Sequence, residues 1–204
     1  MVRVAVLVSG GGTNLQAILD AKAAGKIPHG EIVLVMSNRE SAYALERARM
    51  AGIPALVLKK EKGMLPEAYG ELLLEILRQN NIGFVVLAGF LTILPESVIQ
   101  AFEKRIINVH PSLIPAFCGT GYYGLKVHEA ALAYGVKVTG ATVHYVNEIP
   151  DGGKIIAQKA VDILPDDSPE SLQKRVMVEA EWQLLPKAVE DCCREIYNAK
   201  EDKL

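Results

Sequence analysis

The sequence predicts an α/β fold: an open, mostly parallel sheet with a Rossmann-like N-terminal half and antiparallel additions in the C-terminal half. Short apolar runs alternate with segments of helical periodicity through the first half. These runs are almost continuously apolar, which is typical of parallel strands covered by helices on both faces. In the second half, two strand-like segments follow each other across a turn-rich loop, which favours antiparallel pairing.

The first half carries five predicted strands separated by helical segments. The strands are short apolar runs, whereas the helices repeat apolar residues at spacings of three and four. Gly52 closes the second helix, and Pro95 begins the fourth. In chain order the elements are strand Val4–Val8, helix Asn14 to about Ala24, strand Ile32–Met36, helix Ala42–Ala51, strand Ala55–Leu58, a helix marked by Leu72, Leu73, Ile76 and Leu77, strand Phe84–Ala88, helix Pro95–Phe102 and strand Ile106–Val109.

The second half predicts two further strands, Lys137–Val146 and Lys154–Val161, and then a helical C-terminal region. Ser168 is expected to cap that region, with Pro169 at its first helical position. We expect the helix to break or bend near Pro186, because proline lacks a backbone N–H and crowds the preceding turn.

Length and composition exclude several classes of protein. A chain of 204 residues is expected to form a single domain, residues 1–204, with halves of about 1–105 and 106–204. Its net charge of −2 argues against binding to nucleic acid or to an anionic membrane surface. No run approaches the ~20 apolar residues that span a bilayer. Three cysteines without a Cys-x-x-Cys motif disfavour a disulfide framework and indicate a cytoplasmic location.

A Gly-rich segment, Ser9–Asn14, lies between the first predicted strand and the first helix. Backbone amides of such a turn, together with the positive end of a helix, form an anion site that suits phosphate. Leu15 stands where a dinucleotide-binding motif needs its third glycine, and the lysine-containing triphosphate loop is absent. The segment therefore predicts a phosphate monoester site, with a tight turn that binds nothing as the alternative.

Asn108 and His110 stand at the end of the fifth predicted strand, on the same face because side chains alternate along a strand. Open α/β sheets bind ligands at this edge. An amide beside an imidazole can stabilise an oxyanion and move a proton, whereas the alternative is a polar strand end that only precedes Pro111. Asp151, in an Asp-Gly-Gly loop, would raise the pKa of His110 if the two met, or is otherwise a plain turn residue.

Other notable side chains are interpreted as structural. Leu132 stands where a zinc-protease motif needs its second histidine, so we expect His128 to lie on the surface of a helix. His144, within an apolar strand, is predicted to be a core histidine rather than a ligand. No metal site is predicted.

Five segments together resemble the phosphoribosylglycinamide formyltransferases, a folate-dependent family of purine biosynthesis. The resemblance runs in order along nearly the whole chain. The wider formyl-folate family shares the His-Pro-Ser-Leu-x-Pro and aspartate segments, whereas the N-terminal Ser-Gly-x-Gly-Thr-Asn segment is typical of this branch. The matching segments are Val8–Ile18, Leu87–Phe90, Ile107–Pro115, Gly140–Val146 and Asp151–Ile156.

The resemblance implies an enzyme that transfers the formyl group of 10-formyltetrahydrofolate to the amine of 5-phosphoribosylglycinamide. The products would be N-formylglycinamide ribonucleotide and tetrahydrofolate, in de novo purine (IMP) synthesis, without a metal and in a monomer or homodimer. By the same resemblance, the catalytic residues are Asn108, His110 and Asp151. The ribonucleotide residues are Gly12, Thr13, Asn14 and Glu181. The folate residues are Leu91, Thr92, Ile93, Leu94, Asn147, Glu148, Ile149 and Pro150, with Asn108 and Asp151.

The chain departs from the family pattern at four places. Pro66 and Thr92 stand where the family often has arginines that face the acidic tail of the folate. The loop Phe117–Gly124 is longer than usual, and one extra residue stands between Arg175 and Pro186. None of these departures touches the three expected catalytic residues.

Two other functions are weighed against formyl transfer to the ribonucleotide. One is hydrolysis of formyl-folate, or transfer to a different amine, within the same family. The other is a non-catalytic sensor of a phosphorylated sugar that uses the Gly-rich turn alone. The sensor leaves the pair at the end of the fifth strand unexplained.

Overall fold

The computed structural model describes residues 1–201 as a seven-stranded sheet with helices on both faces. The strands are β1 Val2–Val8, β2 Gly30–Ser37, β3 Ala55–Val57, β4 Phe84–Leu87, β5 Ile106–His110, β6 Val138–Tyr145 and β7 Ile155–Asp162. The helices are α1 Thr13–Ala23, α2 Tyr43–Met50, α3 Pro66–Gln79, α4 Glu96–Ala101, α5 Leu125–Tyr134, α6 Pro169–Val176 and α7 Trp182–Glu201, with a π-helical turn, Met177–Glu181, between the last two.

The strand order is β3-β2-β1-β4-β5-β6-β7. The first five strands in this order are parallel, whereas β6 pairs antiparallel with both β5 and β7. This arrangement confirms the predicted fold class. The order reverses between β1 and β4, so the loops that follow these two strands leave the sheet in opposite directions and open a crevice between them.

Two hydrophobic layers cover the sheet. Val4 and Val6 of β1 pack on one face in a core that includes residues of α1 and α7. Ala5 and Leu7 point to the other face, where α3 and α4 supply the covering residues. Because both faces are buried, the parallel strands are almost continuously apolar, which is the pattern seen in the sequence.

The helix is expected to break or bend near Pro186; a break there is wrong, because α7 continues through this residue. A proline ring crowds the carbonyl of the residue four positions earlier, which here is Trp182. Trp182 has a ψ of −9° and directly follows the π-helical turn. The distortion therefore lies one turn before the proline.

None of the helices within residues 1–201 has the length and apolar character that crossing a membrane requires.

Candidate active site

Three loops at the carboxyl edge of the parallel strands, those after β1, β2 and β4, are joined by hydrogen bonds. The Ser9 hydroxyl, at the end of β1, accepts a hydrogen bond from the Leu91 N–H at 2.8 Å. The Asn38 amide, after β2, donates to the Thr92 hydroxyl at 2.7 Å. The first bond fixes the segment after β4 against the Gly-rich loop, and the second fixes it against the loop after β2.

The three expected catalytic residues lie together in the crevice. Asn108 and His110 project from β5, where their antiparallel partners on β6 are His144 and Thr142. One carboxylate oxygen of Asp151 is 3.4 Å from the Asn108 amide nitrogen, and the other is 3.4 Å from His110 Nδ1. A loop more than forty residues away in sequence therefore brings a carboxylate to both members of the strand-end pair.

The Asp-Gly-Gly loop is shaped to aim the carboxylate inward. Asp151 itself has a φ of +56°, in the left-handed region that Asp tolerates better than most residues. The Gly152 N–H donates to the Ile149 carbonyl at 2.9 Å and closes the turn. A Cβ on Gly153 would lie 1.7 Å from the Tyr145 carbonyl oxygen, so only glycine fits where the loop passes the end of β6.

His110 is nearly buried, and the long loop after β5 contacts it. Its Nε2 is 2.8 Å from the Phe117 carbonyl oxygen. A carbonyl can only accept, so this nitrogen carries the proton and a neutral ring leaves Nδ1 unprotonated. The Gly119 N–H of the same loop donates to Asp151 at 2.8 Å. Backbone groups of one loop therefore hold both His110 and the carboxylate beside it.

Burial lowers the pKa of His110, and this effect outweighs Asp151 and the Phe117 carbonyl, which both raise it. His144 lowers the pKa of His110 slightly further. As expected, the charge of Asp151 acts to raise the pKa of His110. The expected net rise is wrong, however, because burial lowers this pKa by more. A single sequence does not reveal how completely the loop encloses the ring. His110 is therefore neutral near pH 7.

Asp151 remains ionised. Burial raises the pKa of its carboxyl, but His144, His110 and the Gly119 N–H together lower it more, and the net direction is down. The site thus pairs a carboxylate with a neutral imidazole that gains a proton when negative charge develops beside it.

His144 is buried and hydrogen-bonded, which confirms its prediction as a core histidine, and it also contacts the expected catalytic residues. Its Nδ1 is 2.8 Å from the Tyr145 carbonyl and therefore carries the proton. Its Nε2 is 3.1 Å from the Asn108 amide nitrogen, from which it accepts, and 3.5 Å from Asp151. Antiparallel pairing of the two apolar strands was the signal that would have placed His144 opposite Asn108.

His128 is fully buried on α5, so the prediction of a helix-surface position is wrong. Burial lowers the pKa of its imidazole to about 4, and nearby His110 lowers it further. Neither ring nitrogen has a hydrogen-bond partner within the described chain. Val127, His128 and Ala131 lie on the buried face of α5. A partial match to a short motif does not indicate which face of a helix is buried.

The Gly-rich loop lies at the start of α1 and presses against α2. Gly12 has a φ of +74°, and a Cβ at this position would lie 2.6 Å from the Ala44 Cβ. No side chain of residues 1–201 caps α1, so the N–H groups of its first turn are available to an anion. Asn14, in that turn, donates its amide to Glu181 at 2.6 Å. The residues expected to bind the ribonucleotide are therefore adjacent.

Glu181 is the last residue of the π-helical turn Met177–Glu181, and it lies beside Asn14 there. Burial raises the pKa of the Glu181 carboxyl to about 6, against the opposing effect of Asn14. The Glu181 residue is only 4% exposed.

All the expected folate residues, including Asn108 and Asp151, line one cavity of about 140 Å³. Leu91, Ile93 and Ile149 remain exposed at this cavity although they are apolar, as expected of a surface that receives a ligand. The lining residues are Leu87, Phe90, Leu91–Leu94, Ile99, Asn108, His144 and Val146–Asp151. Among residues 1–201, no three His, Cys, Asp or Glu side chains are grouped as metal ligands.

Comparison with known proteins agrees with this geometry. The family model described as formyl transferase matches residues 2–189. The chain belongs to the formyl transferase family. A chloroplastic phosphoribosylglycinamide formyltransferase of Arabidopsis thaliana is 42% identical over 205 residues, covering 98% of this chain and 68% of the relative. The Haemophilus influenzae phosphoribosylglycinamide formyltransferase is 40% identical over 91% of this chain and 84% of its own length.

A solved structure leads to the same formyl transferase branch. Glycinamide ribonucleotide transformylase 1 from Symbiobacterium toebii has a TM-score of 0.89 and 42% identity, covering 96% of this chain and 89% of that one. These matches confirm the resemblance to phosphoribosylglycinamide formyltransferases seen in the sequence segments. The curated plant relative is longer than this chain, which spans 68% of its length.

Proposed function

We propose that this formyl transferase moves the formyl group of 10-formyltetrahydrofolate directly to the amine of 5-phosphoribosylglycinamide, with Asn108, His110 and Asp151 as catalytic residues. The names of the relatives support the reaction, and the crevice offers a place for each substrate. Gly12, Thr13, Asn14 and Glu181 would hold the ribonucleotide. The cavity formed by Leu91–Leu94 and Asn147–Asp151 would hold the folate.

The main observation behind this proposal is that Asp151 contacts both Asn108 and His110. Its carboxylate oxygens lie 3.4 Å from the Asn108 amide nitrogen and 3.4 Å from His110 Nδ1. Neutral His110 accepts the proton that the amine loses as its nitrogen bonds to the formyl carbon. The carbonyl electron pair moves to oxygen, and Asn108 donates a hydrogen bond to the resulting oxyanion. As an imidazolium paired with Asp151, His110 then returns the proton to N10 of the folate while the carbon–N10 bond breaks.

The contribution of each group has an expected size. One hydrogen-bond donor to an oxyanion contributes about 10²–10³ in kcat. Binding the two substrates in one crevice lowers the barrier further, because it replaces a collision in solution by a reaction between fixed neighbours. His144 orients Asn108 and is expected to act through it rather than on the substrates.

The test mixes purified protein with both substrates and follows the formation of tetrahydrofolate. We expect Asn108→Ala and Asp151→Asn to lose at least about 10²-fold in kcat while the fold, checked by thermal melting, is retained. Asp162→Asn, a carboxylate in an exposed position at the end of β7, is the matched control and should keep full activity. Full activity in Asp151→Asn would contradict the proposed roles.

The same assay separates the alternative functions. If folate is consumed without the ribonucleotide, the reaction is hydrolysis; if another amine replaces the ribonucleotide, the acceptor is different. A sensor would bind the ribonucleotide without consuming formyl-folate, and its binding would not respond to changes at Asn108 or His110.

We further propose that residues 1–204 act as a single domain, with about 1–105 contributing the phosphate site and about 106–204 the catalytic residues. The described site uses residues of one chain, which is compatible with a monomer or homodimer. The three cysteines are free thiols, which supports a location in the reducing cytoplasm. The mechanism needs no metal, nucleic acid or membrane partner.

A further inference from the structure

Arg47, in α2, is bound to the Gly-rich loop. Its Nε donates to the Gly11 carbonyl at 2.8 Å, and one of its terminal nitrogens donates to the Gln16 side chain at 3.0 Å. About one helical turn earlier in α2, the Ala44 N–H donates to the Gly10 carbonyl at 3.1 Å. Two successive carbonyls of the loop are therefore turned toward α2.

The orientation of these carbonyls fixes the opposite side of the loop. In a trans peptide the N–H points away from the C=O. The N–H groups that follow the Gly10 and Gly11 carbonyls, those of Gly11 and Gly12, therefore point away from α2. They join the uncapped N–H groups at the start of α1. The bond from Arg47 thus maintains the donor side of the loop.

Arg47 also brings a charge that no carboxylate of the described residues neutralises. It is half-buried, its guanidinium carbon lies 5.1 Å from the centre of the Tyr43 ring, and no carboxylate of residues 1–201 lies within 4.0 Å of it. Arg49, on the same helix, differs: it is exposed and pairs with Glu46 at 3.3 Å. A half-buried cation that has no carboxylate partner among residues 1–201 and lies beside a cluster of N–H donors is suited to a dianionic ligand.

We propose that Arg47 is a positioning residue that makes the site selective for a phosphorylated acceptor. It holds the Gly11 peptide with its donors toward the phosphate and adds positive charge to the field there. This inference rests on the proposed function, because it concerns the phosphate of the same ribonucleotide. Phosphate recognition would then depend on the Arg47 side chain of α2 as well as on the backbone N–H groups of the Gly-rich loop.

The test compares the ribonucleotide with its dephosphorylated counterpart, glycinamide riboside, in wild type and R47M. In R47M we expect the KM for the ribonucleotide to rise at least about tenfold, which corresponds to about 1.4 kcal/mol. The KM for the riboside, the KM for formyl-folate and kcat should stay within about twofold, since the charge acts on the phosphate. The inhibition constant of inorganic phosphate should rise by a factor similar to that for the ribonucleotide.

R49M is the matched control and should resemble wild type in every constant. R47Q keeps one donor for Gly11 but has no charge, and it should show the same selective loss to a smaller degree. An unchanged ribonucleotide KM in R47M, or an equal rise for both acceptors, would overturn the proposal. If R47M does not fold, as judged by thermal melting, R47Q decides the comparison by the same criterion.

Failure of the proposed function has a different signature. Wild type would then consume no formyl-folate in the presence of the ribonucleotide. Calorimetric titration with inorganic phosphate still measures the effect of Arg47 in that case, because it requires no turnover. Equal phosphate affinity in wild type, R47M and R47Q would reject the role of Arg47 independently.

Discussion

Replacing the buried carboxyl of Glu181 by an amide should stabilise the protein at neutral and alkaline pH. Burial raises the pKa of Glu181 to about 6 from its usual value of 4.5, despite the hydrogen bond from Asn14. The folded state therefore holds this proton more tightly than the unfolded state. Such a group contributes its full stability below the unfolded pKa, and that contribution is lost as the pH rises through the folded pKa.

The magnitude follows from the two pKa values. Each pKa unit corresponds to 1.36 kcal/mol, so ionising Glu181 in the folded protein costs about 2 kcal/mol above pH 6. Glu181→Gln does not ionise, and its side-chain oxygen can still accept from Asn14, 2.6 Å from the present carboxylate oxygen. The variant therefore avoids the cost while keeping the local hydrogen bond.

The assay is urea unfolding of wild type and Glu181→Gln at pH 4 and pH 8. Relative to wild type, the variant should gain about 2 kcal/mol in free energy of unfolding between pH 4 and pH 8. The comparison is between the stability difference of the two proteins at pH 8 and the same difference at pH 4. Any effect of the substitution that does not depend on pH, and the titration of all other groups, cancels in this comparison. Glu179→Gln is the control, because this neighbour is exposed and should give no such change.

Two results would refute the reasoning. A gain smaller than about 0.5 kcal/mol, within the usual extrapolation error, would mean that Glu181 is not desolvated in the folded protein. A loss of stability at pH 8 relative to pH 4 would mean that the carboxylate form is favoured by the fold.

Three further outcomes are expected. In a nuclear magnetic resonance titration, His110 should show a pKa below its usual 6.5, and Asp151→Asn should lower the pKa further, because Asp151 raises it; a rise in the variant would contradict the assigned electrostatics. Because His110 acts from its neutral form, kcat/KM should fall as the pH drops through the His110 pKa found in that titration, and a profile that stays flat through that pKa would argue against the proton transfer. Gly12→Ala should weaken ribonucleotide binding at least about tenfold, because the added Cβ would lie 2.6 Å from the Ala44 Cβ. Gly10→Ala is the control and should bind normally, because no atom lies within 4 Å of its added Cβ. Calorimetric titration with the ribonucleotide measures both affinities.

Local patterns in the sequence carried much of the fold and part of the site. Apolar runs and helical periodicity predicted the parallel strands and their helices because each pattern involves neighbouring residues only. The Gly-rich turn after β1 and the alternation of Asn108 and His110 on β5 are local in the same sense. The motifs shared with the formyl transferases predicted Asp151 and the folate segments, and the structure places these residues around one crevice.

The sequence by itself therefore determined the fold class, the Gly-rich loop and the pair at the end of β5, since all three depend on residues close together in the chain. Only the tertiary structure decided that Asp151 meets this pair, that His144 lies opposite Asn108 and that His128 is buried. It also decided that His110 is neutral and that Glu181, at the end of a π-helical turn, lies beside Asn14. Strand pairing and desolvation are collective properties of distant segments, so a pattern read along the chain does not contain them.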